Sequence, residues 1–320
     1  MHYRKVLAAF LVLALCLAGC GGGGIPSDAD DGKDPETEDT DGEDTDDGDG
    51  EEEEEYPYDY TTAAFFNVEN AIIYAPVAQL SGVKADGSYF DLPGKDGYDV
   101  QQGACTDGTY AYMVLENQKI LDDSGNQVSW DVIYKIDMST WEVVDQTEPL
   151  YLDHANDMTY NSKTNQLLVI HCYVNTNRIS VIDADTMEFV ESFDIDYGMF
   201  SICYNESRDQ YVIGIKSTYD FAILDSDFKM VNNFIGVDPG YTKQGMDCDD
   251  DYIYFVMYED NSLLCYNWNG VYCGCYRLKG LPQESEAMFN TNGNYYVTFY
   301  QGGHMGGRVA KVEFDKALLK

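Results

Sequence analysis

The sequence has few basic residues for its size. Its 320 residues include 19 Lys and Arg against 57 Asp and Glu, giving a formal net charge of -38. Binding to nucleic acid depends on Lys and Arg side chains that neutralise phosphates, so this balance argues against a nucleic-acid partner. A strongly acidic protein repels anionic polymers and attracts cations.

Metal-binding patterns are scarce as well. The nine cysteines include no Cys-x-x-Cys pair, and the chain has only four His. The segment "DCDDD" at residues 247–251 lacks the spaced acidic pattern and the distal Glu of an EF-hand loop. We therefore interpret it as a solvated turn, and the sequence predicts neither a metal site nor another cofactor.

The sequence has one long apolar run, at its N-terminus. This run extends from Val6 to Ala18, follows Arg4 and Lys5, and is too short for a comfortable membrane span. The residues Leu-Ala-Gly-Cys at 17–20 resemble the lipobox of bacterial lipoprotein signal peptides. The resemblance implies a signal peptide over 1–19, lipidation of Cys20, and an extracytoplasmic protein anchored to the bacterial cell membrane. An ordinary secretory signal with a chance cysteine is the alternative.

Residues 20–60 are predicted to form a disordered tether. Four glycines are followed by an acidic stretch, in which residues 28–55 hold eighteen Asp and Glu and one Lys. Such a segment cannot bury a core, and its like charges repel one another. We interpret it as a spacer between the lipid anchor and the folded domain; a tail that binds cations or a partner is the alternative.

A repeat organises the remaining sequence. The segments "QGACTDGTYAYMV" from residue 102 and "QGMDCDDDYIYFV" from residue 244 share a polar pair, a turn and an alternating apolar run. Related segments begin at residues 156, 200 and 285. Strand-like runs that end at Asp137, Asp183, Asp225, Asn267 and Asp315 follow them at spacings of 46, 42, 42 and 48 residues. A period in the forties with several short strands per unit is typical of β-propeller blades.

The fold class predicted for residues 61–320 is therefore all-β, a five-bladed β-propeller. The stretch "NRISVIDADTMEFVESFDID" from residue 177 is similar to the YVTN-type propeller repeat, a family resemblance that implies the fold and no particular activity. The last unit lacks its fourth strand, because only five residues follow Asp315. A propeller must close its ring, so we predict that a strand within residues 63–79 completes the last blade.

The register of the repeat places the loops before the innermost strands at one mouth of the central channel. Such loops commonly carry binding sites. The predicted ligand-binding residues are polar groups on these loops and strand starts: Gln102, His154, Asn156, Asp157, Gln244 and Glu286. His154 lies in the acidic segment "DHAND", where it is a candidate metal ligand, although a hydrogen-bonding loop residue is the favoured interpretation.

The predicted function is a surface-anchored binding module, expected to be monomeric, whose partner is a glycan or a protein or peptide. The alternative is a glycan-active hydrolase. Glycoside hydrolysis needs two carboxyl groups that face each other across a pocket, and Asp157, Asp247 and Glu286 are the candidates from three different blades.

Overall fold

The computed structural model describes residues 72, 75–121, 125 and 128–319. These residues form 21 β-strands and one short 3-10 helix, Lys316–Leu318, so the prediction of an all-β protein is confirmed. The predicted signal peptide, the lipidation site Cys20 and the acidic tether lie outside the described residues. Within the described part of the chain, no helix is both long and apolar enough to cross a membrane.

Three sheets each contain four strands that are consecutive in the sequence and antiparallel to one another. Sheet 1 consists of β3 (Val100–Thr106), β4 (Tyr110–Asn117), β5 (Trp130–Asp137) and β6 (Glu142–Gln146). Sheet 2 consists of β7 (Asp157–Asn161), β8 (Gln166–Ile170), β9 (Arg178–Asp183) and β10 (Phe189–Asp194). Sheet 3 consists of β11 (Met199–Asn205), β12 (Gln210–Ile215), β13 (Phe221–Leu224) and β14 (Met230–Phe234).

The other nine strands form one larger sheet with two halves. Its first half, sheet 4, consists of β15 (Lys243–Cys248), β16 (Tyr252–Met257), β17 (Ser262–Asn267) and β18 (Tyr272–Leu278). Its second half, sheet 5, consists of β19 (Glu284–Thr291), β20 (Asn294–Tyr300), β21 (Gly306–Glu313), β1 (Val77–Ser81) and β2 (Phe90–Pro93).

Two N-terminal strands cover the edge of the last long strand. In register, β1 pairs its Leu80 with Val312 of β21, and β2 pairs its Phe90 with Val309 of the same strand. Since β21 has eight residues, it accommodates both short strands one after the other. Of the range predicted to supply this strand, residues 77–79 lie in β1, whereas β2 lies wholly beyond it. The opposite edge of β1 runs parallel to β18, which joins the two halves of the larger sheet.

The five sheets follow one another around an axis. Their first strands contact each other in the order β3, β7, β11, β15 and β19, and β19 contacts β3 again. An apolar cluster fills each of the five spaces between neighbouring sheets. Both faces of most strands are consequently buried, and their sequences read as continuous apolar runs, as in "AYMVL" of β4. The outermost strands β6, β10 and β14 are largely exposed.

The two ends of the axis differ in what they present. We call the end at which the first strands begin the upper mouth, and the end at which they finish the lower mouth. At the upper mouth the starts of neighbouring first strands are tied by side chains: Asn156 donates to the carbonyl of Phe200 at 2.8 Å, and Gln244 donates to Glu284 at 3.0 Å. The predicted binding residues belong to this mouth.

Candidate binding site

His154 lies on a strained loop at the upper mouth. Asp153, His154 and Ala155 are consecutive and all have positive φ angles, of 52°, 85° and 44°. Residues with a Cβ adopt this conformation at a cost of roughly 1–2 kcal/mol each. The loop is held by Asp153, whose carboxylate accepts the backbone N–H groups of Val174 and Asn175 at 2.7 and 2.8 Å. Strain of this kind is concentrated at functional sites, where the surrounding structure enforces it.

A buried carboxylate fixes the His154 ring. Nδ1 of His154 lies 2.8 Å from Oε2 of Glu116, which is fully buried and also accepts hydrogen bonds from Ser129 and Gln118. Burial raises the pKa of Glu116, but His154 and these donors outweigh it, so the net pKa is below the ordinary value. The other face of the site is aromatic, because the Tyr173 ring stacks on His154 at 4.1 Å. With Nδ1 committed to Glu116, Nε2 is the ring atom that can meet a ligand.

A second buried acid lies beside this pair. Asp131 is fully buried, and its Oδ1 has no hydrogen-bond partner among the described residues. Burial first, and the charge of Glu116 next, raise the pKa of Asp131 well above its ordinary value. The charge of Glu116 thus disfavours ionisation of Asp131 beside it.

Two further carboxyl groups come from β19. Glu284 accepts the hydrogen bond from Gln244, and its pKa is raised to about 7, by burial and then by the charge of Glu259. Glu286 is only 4 % exposed, and its side chain has no hydrogen bond or ion pair within the described part of the chain. Burial, Glu284 and then Glu116 raise the pKa of Glu286 well above its ordinary value. The upper mouth is thus rich in carboxyl groups that are poorly neutralised.

Asp157, one of the predicted binding residues, is buried within the ring of first strands. Its side chain is fully buried, and Oδ2 accepts the backbone N–H groups of Ile202 in β11 and Met246 in β15, both at 2.9 Å. Oδ1 accepts the N–H of Met158 at 3.0 Å. Asp157 was predicted to bind a ligand; in the structure its acceptor sites serve the backbone of three sheets.

The glycines of the two Gln-Gly pairs are explained by their close approach to Asp157. A Cβ on Gly103 would lie 2.7 Å from the Cα of Asp157, and one on Gly245 would lie 2.8 Å from its Oδ1. Only a residue without a side chain lets β3 and β15 approach this closely. The repeated pair thus marks the level at which the first strands converge on Asp157.

The other predicted residues differ in the hydrogen-bond partners of their side chains. Asn156 is buried and serves the backbone of Phe200, so its amide has a structural role. Gln102 is buried at the start of β3, and its side chain has no hydrogen-bond partner among residues 75–121 and 128–319. His154, Gln244 and Glu286 lie with Glu116 and Glu284 in the carboxyl-rich group described above.

The remaining histidines do not join His154. His171 is buried and its Nε2 lies 2.8 Å from Oγ of Ser180, while burial lowers its pKa to about 4. His304 lies with Nδ1 2.7 Å from Asp99. Among the described residues, no three His, Cys, Asp or Glu side chains are grouped so that they could hold a metal ion.

A separate cavity of about 260 Å³ opens at the lower mouth. All five first strands line it, with Cys105, Tyr160, Tyr204, Asp247 and Phe289 among the lining residues. Asp247 accepts a hydrogen bond from Asn290 at 2.7 Å, and burial above all raises its pKa to about 7.

The three carboxyl groups named for the hydrolase alternative lie in different places. Asp247 lies in the lower cavity, Glu286 belongs to the upper mouth, and Asp157 is bound by backbone between them. The three carboxyl groups do not face each other across one pocket, as glycoside hydrolysis by such a set would require.

Sequence reasoning missed Glu116, Asp131 and Tyr173. Glu116 and Asp131 lie in β4 and β5, in strands otherwise apolar toward the core, "YAYMVLEN" and "WDVIYKID". An acidic residue within a strand buried on both faces was the available signal, because a buried charge needs a partner.

The sequence matches no family model and no curated protein. Among solved structures, the chain is similar to the glutaminyl cyclase of Myxococcus xanthus, with a TM-score of 0.51 and 11% identity, over 70% of this chain and 94% of that one. The fold is of the β-propeller type. A streptogramin B lyase (TM-score 0.39, 11% identity, 71% and 97% covered) and the hydrazine synthase of Kuenenia stuttgartiensis (0.38, 12%, 64% and 57%) are more distant. At these identities, the similarity to the cyclase indicates the fold of the propeller and not its activity.

Proposed function

We propose that this protein is an extracytoplasmic binding module, a five-bladed propeller over residues 61–320 that holds its ligand at the upper mouth. The blade number is supported by the ring of five first strands and the five apolar clusters between sheets. The partner class is a glycan or a protein or peptide. The domain is proposed to act as a monomer.

One observation carries this proposal: the strained loop that presents His154. Three successive residues with positive φ bring the imidazole onto the buried carboxylate Glu116 and the ring of Tyr173. A loop whose only role was to connect β6 to β7 could avoid this strain. An oriented imidazole beside an aromatic ring and carboxyl groups offers hydrogen bonds and a flat surface to a polar ligand.

Replacing His154 tests the site. His154→Asn keeps a polar side chain that tolerates positive φ, but removes the ring and Nε2. Screening the purified full-length protein on glycan and peptide arrays, followed by calorimetry with the best ligand, should show an affinity at least about tenfold lower for this variant. Lys229→Ala, at an exposed outer turn, is the control. Unchanged affinity together with a marked loss of thermal stability would make His154 a structural residue.

We further propose that a lipid on Cys20 holds the protein at the outer face of the membrane, with residues 20–60 as a spacer. The support is the Leu-Ala-Gly-Cys sequence after a basic and apolar leader. Cys20→Ser should abolish lipid labelling and move the protein from the detergent phase to the aqueous phase, or leave the leader uncleaved. Metabolic labelling with a fatty-acid analogue and detergent partitioning measure this. A mutant that still matures as a lipid-modified protein would contradict the anchor.

A further inference from the structure

Several basic side chains near the upper mouth already have hydrogen-bond or ion-pair partners. Lys119 and His304 both lie 2.7 Å from the carboxylate of Asp99. Lys243 donates its ammonium protons to three backbone carbonyls, those of Ile215, Lys216 and Thr218.

Two further basic side chains also have partners. The ammonium of Lys216 lies 3.0 Å from the Sγ atom of Cys172, and His154 is held by Glu116. Among the described residues, no Lys, Arg or His therefore forms an ion pair with Glu284 or Glu286.

The carboxyl group of Glu286 also lacks a partner. Glu286 is 96 % buried and its side chain forms no hydrogen bond or ion pair with the described residues, although it lies close enough to Glu284 and Glu116 to feel their charges. A buried charge without a partner costs several kcal/mol, so buried carboxylates are normally paired. A partner supplied by a ligand would remove that cost.

The surroundings favour an organic cation over a metal ion. No metal-binding group is present in the described part of the chain, as stated above. Tyr258 and Tyr300 are half-buried, and each lies within the electrostatic influence of both Glu284 and Glu286. Carboxylates beside aromatic rings bind ammonium and guanidinium groups through charge-assisted hydrogen bonds and cation–π contacts.

We propose that the upper mouth binds an organic cation, a primary ammonium or a guanidinium group, which sits against Glu286 and Glu284. This inference rests on the proposed binding function and specifies the chemistry of its ligand. The cationic group of the ligand belongs either to a lysine or arginine side chain of a peptide or to an amino sugar. These sources carry the same positive charge.

Calorimetry with the purified full-length protein tests the ligand class. The probes are a blocked tripeptide Gly-Lys-Gly, the same peptide with acetylated lysine, a glucosamine trimer and its N-acetylated form. We expect each charged probe that binds to lose at least about tenfold in affinity on acetylation. Preference for the lysine peptide assigns the cation to a protein partner, and preference for the glucosamine trimer assigns it to a glycan. Equal binding of acetylated and charged probes would overturn the inference.

The residue test uses Glu286→Gln, with Glu191→Gln on the exposed strand β10 as the matched control. Glu286→Gln should lower the affinity for the bound cation at least about tenfold, because it removes the charge but keeps the shape. The same variant should melt at the same or a higher temperature, since it removes a buried, unpaired acid. A lower melting temperature with unchanged affinity would make Glu286 structural and overturn the assignment.

The two proposals fail in different ways. If neutral probes bind and His154→Asn weakens them, the binding function stands and the cation inference fails. If charged probes bind but neither His154→Asn nor Glu286→Gln weakens them, the ligand lies elsewhere and the upper-mouth site itself is wrong.

The affinity should also depend on pH. The groups facing Glu284 are Glu259, His154, Gln244, Glu286, Tyr258 and Tyr300, and its pKa is raised to about 7, first by burial. A cation binds the ionised carboxylate, so protonation competes with it below this pKa. The affinity for the lysine peptide, whose ammonium stays charged, should rise by up to roughly tenfold per pH unit toward pH 7 and then level off. A flat profile between pH 5.5 and about 8 would contradict the role of Glu284.

Discussion

Replacing Asp157 with Ala is expected to lower the free energy of unfolding by about 3 kcal/mol or more, since each buried donor left unpaired costs roughly 1–3 kcal/mol. The carboxylate accepts three backbone N–H groups, those of Met158, Ile202 and Met246. These groups lie in three different sheets, and the carboxylate that joins them is fully buried. Urea denaturation followed by circular dichroism measures the loss.

Two companion variants sharpen this test. Asp157→Asn retains one acceptor oxygen and should lose less stability than Asp157→Ala. Asp196→Ala, at an exposed position, should change the stability by less than about 0.5 kcal/mol. If Asp157→Ala matched the exposed control, the carboxylate would not hold the sheets together.

Deleting residues 75–93 is expected to prevent cooperative folding. The deletion removes β1 and β2, which exposes the edges of both β18 and β21. It also removes four buried apolar side chains, Ala75, Ala78, Phe90 and Leu92. The loss of Phe90 and Leu92 alone is worth roughly 5 kcal/mol or more, comparable to the whole stability of a typical domain.

Size-exclusion chromatography and a thermal melt distinguish the outcomes. We expect aggregated or oligomeric material without a sharp transition, because unpaired strand edges pair with other chains. Deletion of the acidic residues 28–55 is the control and should leave the melting temperature nearly unchanged, since such a segment buries no apolar side chain. A monomeric, cooperatively melting product of the first deletion would show that the N-terminal strands are dispensable.

The repeat predicted the ends of the strands well, because the residues that mark these ends interact with their near neighbours in the sequence. The residues Asp137, Asp183 and Asn267, identified as the ends of the third runs, are the last residues of β5, β9 and β17. Turn-forming side chains explain this accuracy: the carboxylate of Asp183, for example, accepts backbone N–H groups of the following turn at 3.0 and 2.8 Å. Such contacts depend on the nearest residues alone, so they can be read from the sequence.

The candidate site was less accessible to prediction. The register brought His154 and Glu286 to the upper mouth, but it could not assign Glu116 to His154, which is 38 positions away in another sheet. The backbone partners of Asp157 could not be predicted either, because they are N–H groups of distant strands, which no side-chain pattern reveals. Contacts between sheets depend on the twist and spacing of the whole ring.

The close approach of the first strands at Asp157 limits how a molecule can enter the protein. There, Gly103 and Gly245 abut Asp157, and the Cα of Ala287 lies 3.0 Å from the position of a Cβ on Gly245. The first strands leave no room for a side chain between them at this height, so a polymer cannot thread along the axis from one mouth to the other. A ligand at the upper mouth would therefore be the tip of a chain: a terminus, a protruding side chain or a terminal sugar.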